Sequence, residues 1–234
     1  MLKPKTLALW NKLKDESALH GFVLIGGTAL AMHLNHRVSE DLDFAWPAQK
    51  LPRARIQAIE RLLAQQGSTM VINDSPDALD EFEDSGLDLH DYQQNFIADE
   101  TVKLTFAAPD SEVTVQMRAP DPQHLRVAAV DEIFRLNCIA CANRSKTRDW
   151  FDMYTLFERG LVQPIDMIEP FERSKSPQKL DIALMRMCSA RPELGDEGYV
   201  QLLTNPPTLQ DMQKRFQAAR DEIEVELARR AALK

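Results

Sequence analysis

Cysteine is scarce in this sequence, and no long apolar run is present. Three cysteines in 234 residues are too few for a disulfide framework, and an odd number is unusual in an oxidising compartment. No apolar run reaches the roughly 18 residues that a membrane-spanning helix needs. Residues 1–17 mix charged with apolar side chains instead of forming a signal-peptide core. These absences predict a cytoplasmic protein that has no membrane span and folds without disulfides.

Positive charge is in the minority. Acidic residues outnumber basic ones by 36 to 28, which gives a net charge of −8, so indiscriminate binding to nucleic acid is excluded and any contact with RNA must be local. The acids concentrate in residues 74–91, a run that contains no Lys or Arg. Such a run is typical of a solvated loop or helix face, with metal buffering or docking of a partner as alternatives.

Two of the cysteines, Cys138 and Cys141, form a C-x-x-C pair. Such pairs occur in redox-active proteins and in zinc sites, but also where two small apolar residues lie one turn apart on a buried helix. We favour the buried helix, because no second Cys or His pair at ligand spacing is present.

Hydrophobic patterning predicts helices and strands in alternation over the first half of the chain. Residues 6–18 carry a helical stripe, and residues 22–25 are typical of a short strand. A helix capped by Thr28 follows, and a second strand covers residues 41–45. Further predicted elements are a helix at 52–66, a strand at 70–72, and a hairpin of strands 101–107 and 112–117.

The second half of the chain is predicted to be helical. Helices are indicated near residues 129–142 and 147–158, and Thr208 is expected to cap a final amphipathic helix. Pro120 and Pro122 mark a soft boundary between the two halves. The predicted fold is therefore of the α/β (α+β) class, with a small mixed β-sheet core and packed helices in residues 1–119, followed by a helical C-terminal domain in residues 120–234.

A pair of carboxylates interrupts the apolar pattern of the second strand. Residues two apart in a strand share a face, so Asp41 and Asp43 project the same way while Leu42 and Phe44 enter the core. Two adjacent carboxylates repel each other unless a cation neutralises them, and an oxygen-only pair suits Mg²⁺, which also binds substrate phosphates. Asp41 and Asp43 are therefore predicted metal ligands.

Two glycines between the first strand and its helix supply the other half of a nucleotide site. Gly26 and Gly27 let the backbone approach a ligand closely, and the N-terminus of a helix favours an anion such as a triphosphate. Arg37, just ahead of the second strand, is expected to add a charge-assisted contact to the phosphates.

The order and spacing of these motifs resemble a known family. The segment GGTALAMHLNHRVSEDLDF, residues 26–44, is similar to the signature of the AbiEii/AbiGii nucleotidyltransferases. These are toxins of bacterial toxin–antitoxin and phage-defence pairs within the polymerase-β-like nucleotidyltransferase superfamily. Residues 131–156, DEIFRLNCIACANRSKTRDWFDMYTL, resemble the family's helical motif around Arg-Asp-x-x-Asp. Nothing after Gly160 adds to the resemblance.

The resemblance implies a Mg²⁺-dependent nucleotidyltransferase. Such an enzyme moves a nucleoside monophosphate from a nucleoside triphosphate to an acceptor, which in related toxins is the 3′ end of tRNA. A cognate antitoxin is a further implied partner, while no feature of the sequence assigns an oligomeric state. By matching position, Gly26, Gly27 and Thr28 would hold phosphates, Asp41 and Asp43 would bind metal, and Asp149 would be the acid of the helical motif, supported by Asp152.

Three basic residues, Arg144, Lys146 and Arg148, lie between the two helices of that motif. They form either a solvated helix junction or a local contact to RNA or nucleotide phosphates. In the second interpretation Arg148 binds the nucleotide.

Two positions depart from the family pattern. Thr105 stands where the superfamily usually has a third carboxylate, and Asn137 where family members commonly have a lysine that meets the triphosphate. The loss of the acid would weaken transfer more than binding. A catalytically degenerate nucleotide- or RNA-binding module of the same fold is therefore the alternative to an active enzyme.

Overall fold

Six short strands form one mixed sheet in the computed structural model, which describes residues 1–233. The order across the sheet is third, fourth, fifth, second, first and sixth strand. The second strand pairs antiparallel with the first and parallel with the fifth, so it lies between them. The strands are β1 (Val23–Ile25), β2 (Leu42–Ala45), β3 (Met70–Ile72), β4 (Gln93–Ala98), β5 (Val102–Ala107) and β6 (Arg126–Val127).

Helices occupy most of the remaining described chain. In the first half they are α1 (Pro4–Leu13), α2 (Gly26–Leu34), α3 (Arg53–Gln65), α4 (Pro76–Asp84) and the single turn α5 (Ser111–Thr114). In the second half they are α6 (Val130–Asn143), α7 (Thr147–Glu158), α8 (Ile168–Arg173), α9 (Gln178–Ser189) and α10 (Leu209–Ala232). This sequence of elements confirms the predicted fold class, a small mixed sheet with packed helices followed by a helical region.

One face of the sheet is apolar and closed, because alternate residues of each strand point the same way. Phe44 on β2 and Phe106 on β5 stack on this face with ring centroids 5.5 Å apart. Phe22 and Phe96 meet the Phe106 ring edge-on at 5.6 and 6.2 Å. Phe106 is therefore the centre of the aromatic core, and the intervening residues of the same strands are left for the opposite face.

The chain divides into two compact units. The first comprises Met1–Thr114 and Arg118–Ala129, and the second comprises Val115–Met117 and the chain from Val130 onward. The first unit contains the whole sheet. The predicted domains, residues 1–119 and 120–234, stay a prediction.

The second unit is built on helix packing. Phe157 of α7 lies between Phe134 of α6 and Phe216 of α10, with ring centroids 6.4 and 6.5 Å away. Thr208 caps α10 as the sequence predicts, and Asp211 completes a reciprocal capping box.

Two local predictions are wrong. The hairpin partner of residues 101–107 is not the segment 112–117, because β5 pairs with β4 in front of it and residues 111–114 form a helical turn. Alternation over a few residues does not distinguish a strand from a short helix or loop, and here the pairing partner decides. Thr28 does not cap α2, which already begins at Gly26.

Among the described residues, no helix has both the length and the apolar character that crossing a membrane requires.

Phe106→Ala is expected to lower the free energy of unfolding by about 3–5 kcal/mol, because it removes the ring that the other core aromatics contact and leaves a cavity. The measurement is urea unfolding followed by fluorescence and circular dichroism. Val71→Ala is the control, since Val71 is 62% exposed on β3 and should change stability by no more than about 0.5 kcal/mol. Similar small losses in both variants would contradict this account of the core.

Candidate active site

The register of β2 places Asp43 at the centre of the open face of the sheet. Ile25, the last residue of β1, is its partner on one side, and Thr105 of β5 is its partner on the other. Paired residues in adjacent strands project from the same face. The side chain that accompanies Asp43 on β5 is therefore a hydroxyl, while the expectation that a third carboxylate belongs at this position stays a prediction.

Asp41 and Lys103 continue this arrangement towards the beginning of both strands. Leu42 pairs with Leu104, so the residues just before them are neighbours, and both line one cavity. In the structure, Leu42 and Leu104 are buried while Asp41 and Asp43 are partly exposed. The two carboxylates thus share the open face, as strand alternation predicts.

The Gly-Gly segment meets Asp43 where β1 ends and α2 begins. Gly26 has a φ of +71°, and a Cβ built on it would lie 3.0 Å from Oδ2 of Asp43. Gly27 has no room for a side chain either, since a Cβ there would overlap the guanidinium of Arg37. Only glycine at both positions allows a carboxylate and a guanidinium to approach the first turn of the helix together.

The protein itself holds the side chain of Arg37 in place. Its side chain is buried, with 7% of its surface exposed, and its Nη1 donates a hydrogen bond to the carbonyl of Val38 at 3.2 Å. The guanidinium therefore lies beside the N-terminus of α2, where the sequence places a phosphate. Its contact with phosphate stays a prediction.

Thr28 fixes the main chain that carries the first carboxylate. Its hydroxyl is buried, lies 2.7 Å from the hydroxyl of Ser39 and donates to the carbonyl of Asp41. The side chain of Thr28 thus orients the Asp41 segment, and its predicted role in holding phosphates is untested.

The N-terminal segment also holds the main chain just before Asp41. Ser39 receives a hydrogen bond from the backbone N–H of Lys3 at 3.0 Å and gives one to the carbonyl of Met1 at 2.8 Å. The hydroxyl of Thr6 donates to the carbonyl of Glu40 at 2.7 Å. No local pattern in the sequence predicts this contact, because it joins segments more than thirty residues apart in the chain.

A structural carboxylate was missed in the acidic run. Asp74 accepts hydrogen bonds from the backbone N–H and the side-chain amide of Asn95, at 2.8 and 3.0 Å, and contacts Nε2 of His90 at 2.9 Å. Its side chain is buried, so the interpretation of residues 74–91 as solvated fails at this residue, although α4 is indeed an exposed helix. Asn95 lies on β4 and pairs with Thr105 of β5. In the sequence, the nearby Asn95 and His90 were the only indications that Asp74 could be a buried hydrogen-bond acceptor.

A larger cavity does not coincide with the carboxylates. It measures about 820 Å³ and is lined by Pro47, Tyr92, Ala107 and Pro109 among others. These residues lie where β2 and β5 end and where β4 begins, at the end of the sheet away from Asp41. Its lining includes a single carboxylate, that of Asp110, so it lacks the paired acids that nucleotidyl transfer requires.

The predicted residues of the helical motif lie in the second unit. Asp149 is 9% exposed and is held by two hydrogen bonds from Arg144, Nε to Oδ2 at 2.7 Å and Nη2 to Oδ1 at 3.0 Å. Arg148 donates from Nε to the carbonyl of Gly198 at 2.9 Å and pairs with Glu197 at 3.0 Å. Both arginines thus have structural partners, and the roles of Asp149 and Arg148 at a nucleotide stay predictions.

Two further buried residues of α6 and α7 belong to this motif. Asp152 is buried on α7, and Asn137 is buried on α6 with 7% of its surface exposed. The side-chain nitrogen of Asn137 has no hydrogen-bond partner among the described residues. A buried amide nitrogen without a hydrogen-bond partner is costly.

The C-x-x-C pair is part of the helical core. Cys138 and Cys141 are both buried in α6 and are free thiols. Desolvation by burial raises the pKa of each thiol well above its ordinary value of 9.0. Thiolate is the reactive and metal-binding form, so the structure supports the buried-helix interpretation.

The donor set suits one divalent cation. Within residues 1–233 no group of three or more His, Cys, Asp and Glu side chains is arranged to hold a metal, so the β2 pair is not part of a protein-only cage. Two carboxylates on one face of the sheet, with Asp43 beside the first turn of α2, still fit a Mg²⁺ ion, because Mg²⁺ usually takes one or two carboxylates and completes its shell with water and substrate phosphates. Asp41 and Asp43 are the residues that would hold it.

Solved structures share this fold, and a nucleotidyltransferase toxin is among them. MenT4, a nucleotidyltransferase toxin from Mycobacterium tuberculosis, superposes with a TM-score of 0.52 and 15% identity over 90% of this chain and 77% of its own. JHP933 from Helicobacter pylori aligns over 100% of this chain and 99% of its own, with 19% identity and a TM-score of 0.47. A search among curated proteins found no significant match.

A match to a family model identifies the family of this chain. The model of the nucleotidyl transferase AbiEii toxin, from type IV toxin–antitoxin systems, matches residues 8–233. The chain is therefore a nucleotidyltransferase of the toxin–antitoxin type. It belongs to the AbiEii family, as the Gly-Gly and Asp-x-Asp segments led us to expect, and the match extends beyond Gly160 to α10.

Native Cys138 and Cys141 are expected to resist thiol reagents at pH 8. Their raised pKa keeps the thiolate fraction below that of a free cysteine, so reactivity should rise only as the pH approaches the raised pKa. The measurement is the rate of labelling by a chromogenic disulfide reagent, with and without denaturant. Cys188→Ser serves as the control that removes the partly buried thiol, and fast labelling of that variant in the native state would restore the redox or zinc interpretation.

Proposed function

We propose that this protein transfers a nucleoside monophosphate from a Mg²⁺-bound nucleoside triphosphate to an RNA acceptor, with the 3′ end of tRNA as the preferred acceptor. One observation carries the proposal. The antiparallel register of β1 and β2 brings the Gly-Gly turn and the Asp43 carboxylate within contact distance of each other. A phosphate-binding segment and a metal-binding pair thus meet at one end of the sheet.

The Gly-Gly segment and the residues around it would bind the triphosphate. The N–H groups of the first turn of α2 carry the positive end of the helix dipole, which favours an anion. Arg37 adds a fixed positive charge beside Gly27. Because Arg37 is already buried and oriented, little conformational entropy is lost when phosphate binds.

Asp41 and Asp43 would hold the metal ion. A Mg²⁺ ion held there would offset part of the negative charge of the triphosphate, including the charge that develops on its oxygens during transfer. The chain contributes the rigid placement of the two carboxylates, through the strand pairing of β2 and through the hydroxyl of Thr28 on the carbonyl of Asp41. Asp149, Arg148 and Asp152 are the second unit's candidates for contact with the same nucleotide.

The reaction requires one bond to form and one to break. A hydroxyl oxygen at the 3′ end of the acceptor bonds to the α-phosphorus of the nucleotide, the bond from that phosphorus to the bridging oxygen of the β-phosphate breaks, and diphosphate leaves. The hydroxyl proton passes to solvent or to a nearby base. As a toxin-family enzyme, the protein would act in the cytoplasm and be restrained by a cognate antitoxin.

The pairing of Thr105 with Asp43 favours a second candidate function. A hydroxyl cannot take the place of a third carboxylate as a base or metal ligand, and Asn137 occupies the expected lysine position. A degenerate member of the family would bind nucleotide or RNA through the same residues without turnover. The two candidates differ in whether the wild type incorporates nucleotide.

Asp43→Asn is expected to abolish transfer, with a loss of at least about 100-fold, because it removes one of two charges that hold the metal. The measurement is incorporation of each labelled nucleoside triphosphate into total RNA and purified tRNA in the presence of Mg²⁺. Asp77→Asn on the exposed helix α4 is the matched control and should retain activity.

Three results of this experiment are informative. Label in the wild type that Asp43→Asn removes supports the enzyme. Equal label in both proteins would contradict the assignment of Asp43. Nucleotide binding without label in the wild type, with label gained by Asn137→Lys, would favour the degenerate module.

Thr105→Asp is expected to tighten binding of a divalent cation by about tenfold, since it places a third carboxylate beside Asp43. Without metal, repulsion among the acids should lower the melting temperature, and Mg²⁺ or Mn²⁺ should raise it more than in the wild type. The measurements are Mn²⁺ titration calorimetry and thermal unfolding at several metal concentrations. Thr204→Asp makes the same charge change at an exposed site in the second unit, and an equal effect there would refute the placement.

A further inference from the structure

A second cavity lies directly against Asp41. It measures about 470 Å³, within the range of small-ligand sites, and its lining includes Lys3, Lys5, Glu40, Asp41 and Lys103. All of its lining residues belong to the first unit. It opens at the end of the sheet where β2 and β5 begin, beside the first turn of α1.

The cavity and the Gly-Gly segment lie on opposite sides of the carboxylate strand. β2 has β1 on one side and β5 on the other. The Gly-Gly turn extends from the end of β1, whereas Lys103 is on β5 and Lys3 and Lys5 belong to the segment that begins α1. Adjacent strands are about 4.8 Å apart, so β1 and β5, which flank β2, are about 10 Å apart.

The lining of this cavity is more basic than the protein as a whole. Three lysines face two carboxylates there, in a chain whose net charge is −8. Lys3 pairs with Glu40, and Lys5 contacts Glu100 at 3.8 Å and the carbonyl of Asp99 at 3.1 Å. Both lysine side chains are 54% exposed. Exposed ion pairs of this kind contribute little stability and exchange readily for another anion.

We propose that this cavity is the acceptor subsite, in which Lys3, Lys5 and Lys103 bind backbone phosphates next to the 3′ end of the acceptor RNA. The inference rests on the proposed function and deepens it. A divalent cation on Asp41 and Asp43 would cancel the negative charge between the cavity and the nucleotide, so an RNA phosphate could enter. Phosphate contacts of this kind position the strand and do not select its sequence.

In-line phosphoryl transfer favours such an arrangement. The attacking oxygen and the leaving oxygen lie roughly in line on opposite sides of the phosphorus. In this proposal the diphosphate leaves on the side of the Gly-Gly turn, so the acceptor hydroxyl would approach the phosphorus from the side of β5. The lysine-lined cavity opens on that side, where β2 and β5 begin.

The test is a double charge reversal, Lys3→Glu with Lys5→Glu, on the full chain. The expected result is a rise of about tenfold or more in KM for RNA, because phosphate contacts dominate binding to nucleic acid. The KM for the nucleoside triphosphate should change by less than about twofold. In parallel, fluorescence anisotropy with a short single-stranded RNA should show weaker binding and a shallower dependence on salt. Lys3→Arg with Lys5→Arg keeps the charges and should restore both properties.

Lys14→Glu with Arg61→Glu is the matched control. Both residues are exposed in the first unit and neither lines the cavity, so this variant has the same net charge without altering the subsite. Equal losses in the two variants would assign the effect to overall charge and overturn the inference.

The remaining outcomes separate the inference from the function on which it rests. Transfer to RNA by the wild type, with an unchanged KM for RNA in the cavity variant, would overturn the acceptor subsite and leave the enzyme intact. Transfer to protein, or no transfer by the wild type, would overturn the RNA acceptor in the proposed function and the subsite with it. A melting temperature close to that of the wild type would show that the variant is folded.

Discussion

The pairing of β2 with β1 on one side and β5 on the other is the constraint on which the site depends. Backbone hydrogen bonds fix this register, and a slip of one residue would turn both carboxylates into the aromatic core. Phe44 opposes such a slip, because it would have to leave the core and its stack on Phe106. The same packing that stabilises the sheet therefore holds Asp43 on the open face.

The carboxylate segment is also held from outside the sheet. The main chain at Ser39 and Asp41 is bonded by the N-terminal segment and by the hydroxyl of Thr28. Two repelling carboxylates on a mobile loop would separate, and a metal ion would then have to order them at a cost in affinity. Attachment to β2, α2 and the N-terminal segment removes most of that cost. The first unit thus holds the Asp41 segment, Arg37 and the first turn of α2 in fixed positions.

Gly27 and Arg37 are in contact in this site. They lie ten positions apart, yet the guanidinium occupies the space of the missing side chain. A larger residue at Gly27 would therefore displace the buried guanidinium of Arg37. In the second unit, Asp149 is likewise held by one arginine, with Nε and Nη2 of Arg144 each donating to one carboxylate oxygen.

The sequence by itself determined the elements that local physics controls. These are the Gly-Gly turn, the shared face of Asp41 and Asp43, the helix cap at Thr208 and the helical character of the second half. Only the tertiary structure decided what pairs with what. It replaced the predicted hairpin with β4 against β5, buried Asp74 against Asn95, and brought the N-terminal lysines to Asp41. Strand alternation and helix caps act over a few residues, whereas these contacts join distant segments and arise only when the sheet assembles.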